Sequence, residues 1–170
     1  MKTNIILAGV GGQGILTIAA VLDTAALDCN LNIKQSEVHG MSQRGGAVQS
    51  HVRISDKEIF SDLIPQGKAD IIISVEPMEL LRYLPFLKEG GHLVTDSNPF
   101  VNIVNYPEMD ALYAEIKSQP NSILIDAKRI AKDLGNARAT NIVLLGAAAS
   151  LLPLSDESLK KAIKTLFERK

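Results

Sequence analysis

Cysteine is almost missing from this chain: Cys29 is the only one among 170 residues. One thiol cannot close an internal disulfide, and it cannot supply the several thiolates that an iron–sulfur cluster requires. Charge of either sign is not in excess either. The formal net charge is −1, which leaves no global field to recruit nucleic acid or an anionic membrane surface. The longest apolar region, residues 142–154, is broken by Ser150 and Pro153 and falls short of the ~20 residues of a membrane span. Met1-Lys2-Thr3 runs straight into an apolar strand, so no signal peptide is expected and cytoplasmic residence is the default. Catalytic signatures are missing too. There is no G-x-x-x-x-G-K-[ST] phosphate loop. Ser42 lies in G-M-S-Q-R-G, one residue away from the nucleophile elbow G-x-S-x-G. The G-D-G…N-N pair that holds thiamine diphosphate through magnesium is absent. His39, His51 and His92 show no metal-ligand spacing, so no metal is expected on this chain. His51 reads as a solvated strand residue and His92 as a strand-start residue.

What is present is concentrated in two stretches. Residues 4–14 read N-I-I-L-A-G-V-G-G-Q-G. An apolar run stops at a group of glycines, and the chain resumes as the continuously apolar I-L-T-I-A-A-V-L. Strand, tight turn, helix is the economical reading. Gly9, Gly11 and Gly14 fit the spacing G-x-G-x-x-G, with Gly12 and Gln13 inside it. A helix that starts at such a turn points unpaired N–H groups and its positive dipole end outward, which suits a phosphate or carboxylate. The dinucleotide reading also needs an acid at the end of the second strand. Asp28 is near the usual distance but falls where the first helix should end, whereas Glu37 follows later and is better placed. Close helix–strand packing alone, an anion site and a dinucleotide site all remain open on this spacing.

After the first helix, residues 14–28, a second strand is expected over residues 31–35. It leads into S-E-V-H-G-M-S-Q-R-G-G, residues 36–46, polar and glycine-rich without apolar periodicity. Such a loop after a strand is where α/β proteins place function. Residues 47–54 alternate, with Gln49, His51 and Arg53 on the polar face, and residues 58–61 can return the chain, which predicts a β-hairpin and a mixed sheet. Further strands are expected at residues 70–75, 92–96 and 123–126, with a short one at Ile103-Val104. Helices are expected at 78–87 with Pro77 leading and Gly90-Gly91 closing, at 109–117 and at 128–134 before Gly135. Residues 140–152 are apolar almost all round, the mark of a buried or subunit-contact helix. A last helix follows, capped by Ser155 and ending at Arg169 and Lys170. A chain of this length can bury roughly 70% of its unfolded surface as one domain. The reading is therefore one domain, residues 1–170: three-layer α/β/α with a mostly parallel, mixed sheet, a Rossmann-like first βαβ unit and an inserted β-hairpin.

If strands 1 and 2 are parallel, both glycine loops emerge at the same carboxyl edge. One supplies helix N–H groups. The other supplies Arg44, whose planar guanidinium suits phosphate or carboxylate.

G-V-G-G-Q-G after the first strand, followed by S-E-V-H-G-M-S-Q-R-G-G at the end of the second, resembles the gamma-type subunits and domains of 2-oxoacid:ferredoxin oxidoreductases. Its wording is most similar to the indolepyruvate branch, and the resemblance runs over nearly the whole chain, including Asn141 and Gly146 in the apolar helix. It implies a subunit of an enzyme that converts a 2-oxoacid and coenzyme A into an acyl-CoA and carbon dioxide, passing electrons to ferredoxin. Thiamine diphosphate, magnesium and iron–sulfur clusters are then expected on a large partner subunit, with no cofactor held by this chain alone. The gamma-type domain is associated with coenzyme A and with the subunit interface. The ligand-binding residues this implies are Gly9, Gly11, Gly12, Gln13, Gly14, Glu37, His39, Gly40, Met41, Ser42, Gln43, Arg44, Gly45, Gly46 and Asn141, with no catalytic residue. A free-standing nucleotide- or dinucleotide-binding module is the alternative. The same subunit role in a pyruvate or branched-chain oxoacid enzyme is another.

Overall fold

A computed structural model describes residues 1–39 and 45–168. Six strands, β1 (Lys2–Val10), β2 (Asn32–His39), β3 (Ala47–Ser55), β4 (Ala69–Ser74), β5 (Leu87–Asp96) and β6 (Ser122–Ile125), form one sheet in the order β2-β3-β1-β4-β5-β6. β1, β4, β5 and β6 are parallel neighbours, and β3 runs antiparallel to both β1 and β2. Six α-helices complete the three layers: α1 (Ile15–Asp28), α2 (Pro77–Arg82), α3 (Met109–Ser118), α4 (Ala127–Asp133), α5 (Thr140–Ala148) and α6 (Asp156–Phe167).

The sheet is covered on both faces, as parallel strands require. Ile5, Leu7, Ile71, Ile73 and Val94 pack against α1, α5 and α6 on one face; Ile6, Ala8, Ile72 and Leu93 pack against α2 and α3 on the other. The continuous I-I-I of β4 follows from this, since its successive side chains enter opposite cores. Each such isoleucine contributes about 1.5–3 kcal/mol through burial.

The inserted strand differs from expectation. β3 does not pair with residues 58–61, which form no strand; it lies between β1 and β2, with Ile6 opposite His51 and Ser36 opposite His51 on the other side. The polar face of β3 explains why. Arg53 Nη1 donates to Ser61 O at 2.6 Å and Leu63 O at 3.1 Å, and His51 Nδ1 accepts from Ile64 N at 2.9 Å. These side chains hold the returning segment as an irregular cover, so His51 is buried rather than solvated. β2 also continues through His39, so Ser36, Glu37, Val38 and His39 belong to an edge strand rather than to a loop.

The second helix is shorter than the expected 78–87, because Pro85 cannot continue it. α2 ends at Arg82, a 3₁₀ turn spans Leu84–Phe86, and Leu87 already starts β5. Gly90 and Gly91 therefore lie within β5, where they accompany a register shift against β4, and His92 is interior to that strand. Ile103 and Val104 form no strand. α5 is shorter than its apolar run, continuing as a 3₁₀ turn, Ala149–Leu151. Ser155 caps α6 by accepting from Ser158 N at 3.1 Å, as expected.

Candidate functional site

The chain leaves β1 at Val10, turns through Gly11, Gly12, Gln13 and Gly14, and enters α1. Gly9 is required for close approach: a Cβ there would stand 2.5 Å from Val75 Cγ2. Gly14 is required for conformation, since it caps α1 at φ 75° in the left-handed region. Gln13 ties the turn from inside, its Oε1 accepting from Val10 N at 2.7 Å while its own N–H reaches Val10 O at 3.0 Å. Asn141, at the start of α5, ties it from outside by donating to Gln13 O and Gly14 O, both at 2.9 Å. Among the described residues, no side chain caps α1 and no acidic residue stands in its first turn. Thr17 N donates back to Gly14 O at 2.9 Å, and a helix start without a side-chain cap suits an anionic ligand at its remaining N–H groups.

The second glycine segment meets the first. Gly11 N donates to Gly46 O at 2.8 Å, and Gly45 N donates to Gly11 O at 3.3 Å. This contact follows from topology: β1 and β2 are both antiparallel to β3, so their carboxyl ends share one edge. Asn102 then reaches over, its Nδ2 donating to Gly45 O at 2.5 Å.

Between the turn and the end of β2 lies a cavity of about 410 Å³, lined by Gly11, Gly12, Gly14, Leu16, Glu37 and His39 among others. Glu37 and His39 share a face of β2, two residues apart. The cavity thus combines helix-terminal N–H donors with one carboxylate and one imidazole. A ligand suited to it presents an anionic group to the turn and a hydroxyl or N–H donor to Glu37.

Of the expected residues, Gly11, Gly12, Gly14, Glu37 and His39 line this cavity, while Gly45 and Gly46 adjoin it through the turn. Gly9, Gln13 and Asn141 shape the turn rather than face the cavity. Gly40, Met41, Ser42, Gln43 and Arg44 lie outside the described residues. Asp28 pairs with Lys161 at 2.9 Å and is remote from any ribose-binding role. The sequence assigned no site role to two acids: Glu76, fully buried after β4 and, with Pro77, part of the family resemblance, and Asp96, buried at the end of β5. The signal for both was an acidic residue directly after an apolar strand, where the carboxyl edge of the sheet begins. Among the described residues, no group of three or more His, Cys, Asp or Glu side chains could hold a metal ion, and no helix is long and apolar enough to cross a membrane.

Comparison with known proteins gives the family. Residues 4–170 match the pyruvate ferredoxin/flavodoxin oxidoreductase family. The indolepyruvate oxidoreductase subunit IorB of Pyrococcus horikoshii is 40% identical over 95% of this chain and 84% of its own length. The IorB subunit of Archaeoglobus fulgidus is 37% identical over 100% of this chain and 88% of its own. The 2-oxoglutarate synthase subunit KorC of Methanocaldococcus jannaschii is 35% identical over 96% of this chain and 82% of its own. Among solved structures, the keto/oxoacid ferredoxin oxidoreductase gamma subunit of Geobacter sulfurreducens superposes with a TM-score of 0.71 at 29% identity, covering 96% of this chain and 85% of that one. With a family match over nearly its full length and relatives above a third identical, the chain belongs to the pyruvate ferredoxin/flavodoxin oxidoreductase family.

Proposed function

We propose that this chain is the small subunit of a 2-oxoacid:ferredoxin oxidoreductase, most like the indolepyruvate enzyme, and that its glycine-turn cavity receives the phosphate-bearing part of coenzyme A. The observation that carries the cavity assignment is the uncapped start of α1 opening between two hydrogen-bonded glycine segments, with Glu37 across from it. In this reading the backbone N–H groups of Gly12, Gly14 and the first turn of α1 bind phosphate. Glu37 accepts from a ribose hydroxyl, and Arg44 adds a guanidinium from the second segment. Coenzyme A supplies the thiol that receives the acyl group. This chain only binds and orients it, and is not catalytic alone.

Thiamine diphosphate, magnesium and the clusters belong in this reading to a large partner subunit, and ferredoxin is reached through the complex. The residues here do not fit a cluster, since the lone Cys29 is exposed and has no second thiolate beside it. Oxidation of a 2-oxoacid with an aryl side chain is the substrate reading that the IorB relatives favour, and we place the complex in the cytoplasm.

The test is steady-state kinetics of the enzyme reassembled from both subunits, varying coenzyme A and oxoacid separately. A charge-assisted hydrogen bond contributes about 1.5–3 kcal/mol. Arg44→Ala should raise the KM for coenzyme A about 10- to 100-fold and leave that for the oxoacid within twofold, and Arg44→Lys should recover only part. If no constant moves by more than twofold, the pocket assignment is wrong. One observation favours a second reading. An acid at the end of β2 facing a G-x-G-x-x-G turn is also the dinucleotide arrangement. Binding of a nicotinamide dinucleotide but not coenzyme A to the full chain would establish that reading instead.

A further inference from the structure

The connections change sides of the sheet between β1 and β4. The chain leaving β1 enters α1 on one face, whereas those leaving β4 and β5 reach α2 and α3 on the other. Diverging connections open a crevice at the carboxyl edge, which is where open α/β sheets bind ligands. A cavity of about 230 Å³ lies there, on the other side of the glycine turn from the Glu37 pocket. Asp96, the last residue of β5, lines it and is only 4% exposed. Its Oδ1 accepts three bonds, from Asn98 Nδ2 at 2.8 Å, Ala127 N at 3.1 Å and Asn98 N at 3.3 Å. Oδ2 accepts none among the described residues. Burial pushes the carboxyl above its ordinary pKa against the pull of those Oδ1 bonds. Oδ2 is thus an accessible acceptor at the end of an otherwise buried side chain, and it opens on the cavity. Lys128 also lines it, exposed and without a salt bridge among the described residues. Val75, Pro99 and Phe100 supply an apolar wall.

We infer that this crevice binds a small acid carrying an N–H or O–H donor on the carbon next to its carboxylate, that is, a 2-amino or 2-hydroxy acid. The donor meets Asp96 Oδ2, the carboxylate meets Lys128, and the side chain rests on Val75, Pro99 and Phe100. The volume is below the ~300–1,000 Å³ of sites for drug-sized ligands, as a molecule of this class needs. A 2-oxoacid carries a ketone at that carbon and leaves Oδ2 unpaired, so the site discriminates against it. A site built to pair with a donor rejects the analogue that lacks one. The crevice is therefore read as a site for the aminated or reduced counterpart of an oxoacid, a regulatory ligand and not the reacting one. Asn141 lines this cavity and also holds the glycine turn, so one side chain adjoins both pockets.

The inference does not rest on the coenzyme A assignment, and its test separates the two. Phenyllactate, phenylalanine and phenylpyruvate share a carboxylate and an aryl side chain and differ at the second carbon. Titrated calorimetrically into the full chain, the first two should bind and the third should bind at least tenfold more weakly. Asp96→Asn keeps an oxygen for the Oδ1 bonds but puts a donor in place of Oδ2. It should weaken the first two at least tenfold without shifting the thermal midpoint, and Arg44→Ala should leave them unchanged. Should Asp96→Asn not fold, Lys128→Gln decides: this exposed position tolerates change, and binding should fall about fivefold or more. Equal binding of all three acids, no binding at millimolar concentration, or unchanged affinity in Lys128→Gln overturns the inference.

Discussion

Asp23, on α1, keeps Oδ1 buried without a hydrogen-bond partner among the described residues, and burial raises its pKa from 3.8 to about 6. The sign follows directly. The folded chain holds the proton more tightly than the unfolded one, so this group's contribution to stability is fully present below pH 3.8. It is lost as pH rises to about 6, and above that the charge is a net penalty. Partial exposure lets solvent screen it, so the penalty is about 1–2 kcal/mol. Asp23→Asn should therefore stabilise the chain by about that amount at pH 7.5, and the gain should shrink steadily towards pH 4.5. Urea unfolding of both proteins at several pH values measures it, and a pH-independent difference would refute the desolvation account. Single residues also differ in how far the sequence revealed them. Gly9 and Gly14 were visible because a glycine cluster between two apolar runs marks a tight turn between a strand and a helix. His51 was not: it reads as the polar half of an alternating strand, and only the packing of residues 59–64 over that face shows that it is buried.

At the level of elements, the strand–turn–helix at the start, the apolar β4 and the capped α6 were readable from local pattern alone. The place of β3 was not. Alternation says which side chains share a face, but it does not say which strand lies alongside, and β3 satisfies β1 and β2 equally well. A second unread feature is the anchoring of residues 97–108. Glu76 is fully buried; its Oε2 caps α2 by accepting from Glu79 N at 2.8 Å, and its Oε1 accepts from Phe100 N at 3.3 Å and from Tyr106 Oη. One carboxylate thus joins a helix start to both halves of a loop that reaches Gly45 through Asn102. Glu76→Gln should cost about 2–4 kcal/mol, because an amide presents one acceptor oxygen where three donors converge. Tyr106→Phe alone should cost about 1.5–3 kcal/mol, and the double variant should cost clearly less than the sum. Additivity within about 0.5 kcal/mol in chemical denaturation would show that the two side chains act independently.

Over the whole molecule, the surface that this anchored loop presents has the character of a contact. Val101 is 66% exposed and Val104 fully so, with Phe100 and Ile103 each a little under half exposed, in a segment tied down by Glu76, Tyr106 and Asn102. Apolar side chains held in place at a surface mark interaction sites more often than scattered ones do. They stand beside the glycine segments, so in the proposed assembly a large subunit that covered them would also close over the candidate pocket. Phe60 is 86% exposed but lies in the other direction, next to Ser61, whose carbonyl holds Arg53 opposite Asn4 in the first half of β1. The two patches allow the docking face to be located. Replacing Val101 and Val104 together by Ser should leave the isolated chain's stability within about 0.5 kcal/mol, since neither side chain is buried in it. Burial of the pair against a partner would contribute about 2–3 kcal/mol, so association with the large subunit should weaken about 30- to 150-fold. Phe60→Ser should leave that association unchanged. Co-purification yield and the dissociation constant of the reassembled complex are the measurements. Loss of assembly in Phe60→Ser with full assembly in the double valine variant would place the partner at the opposite edge of the sheet, away from the glycine segments.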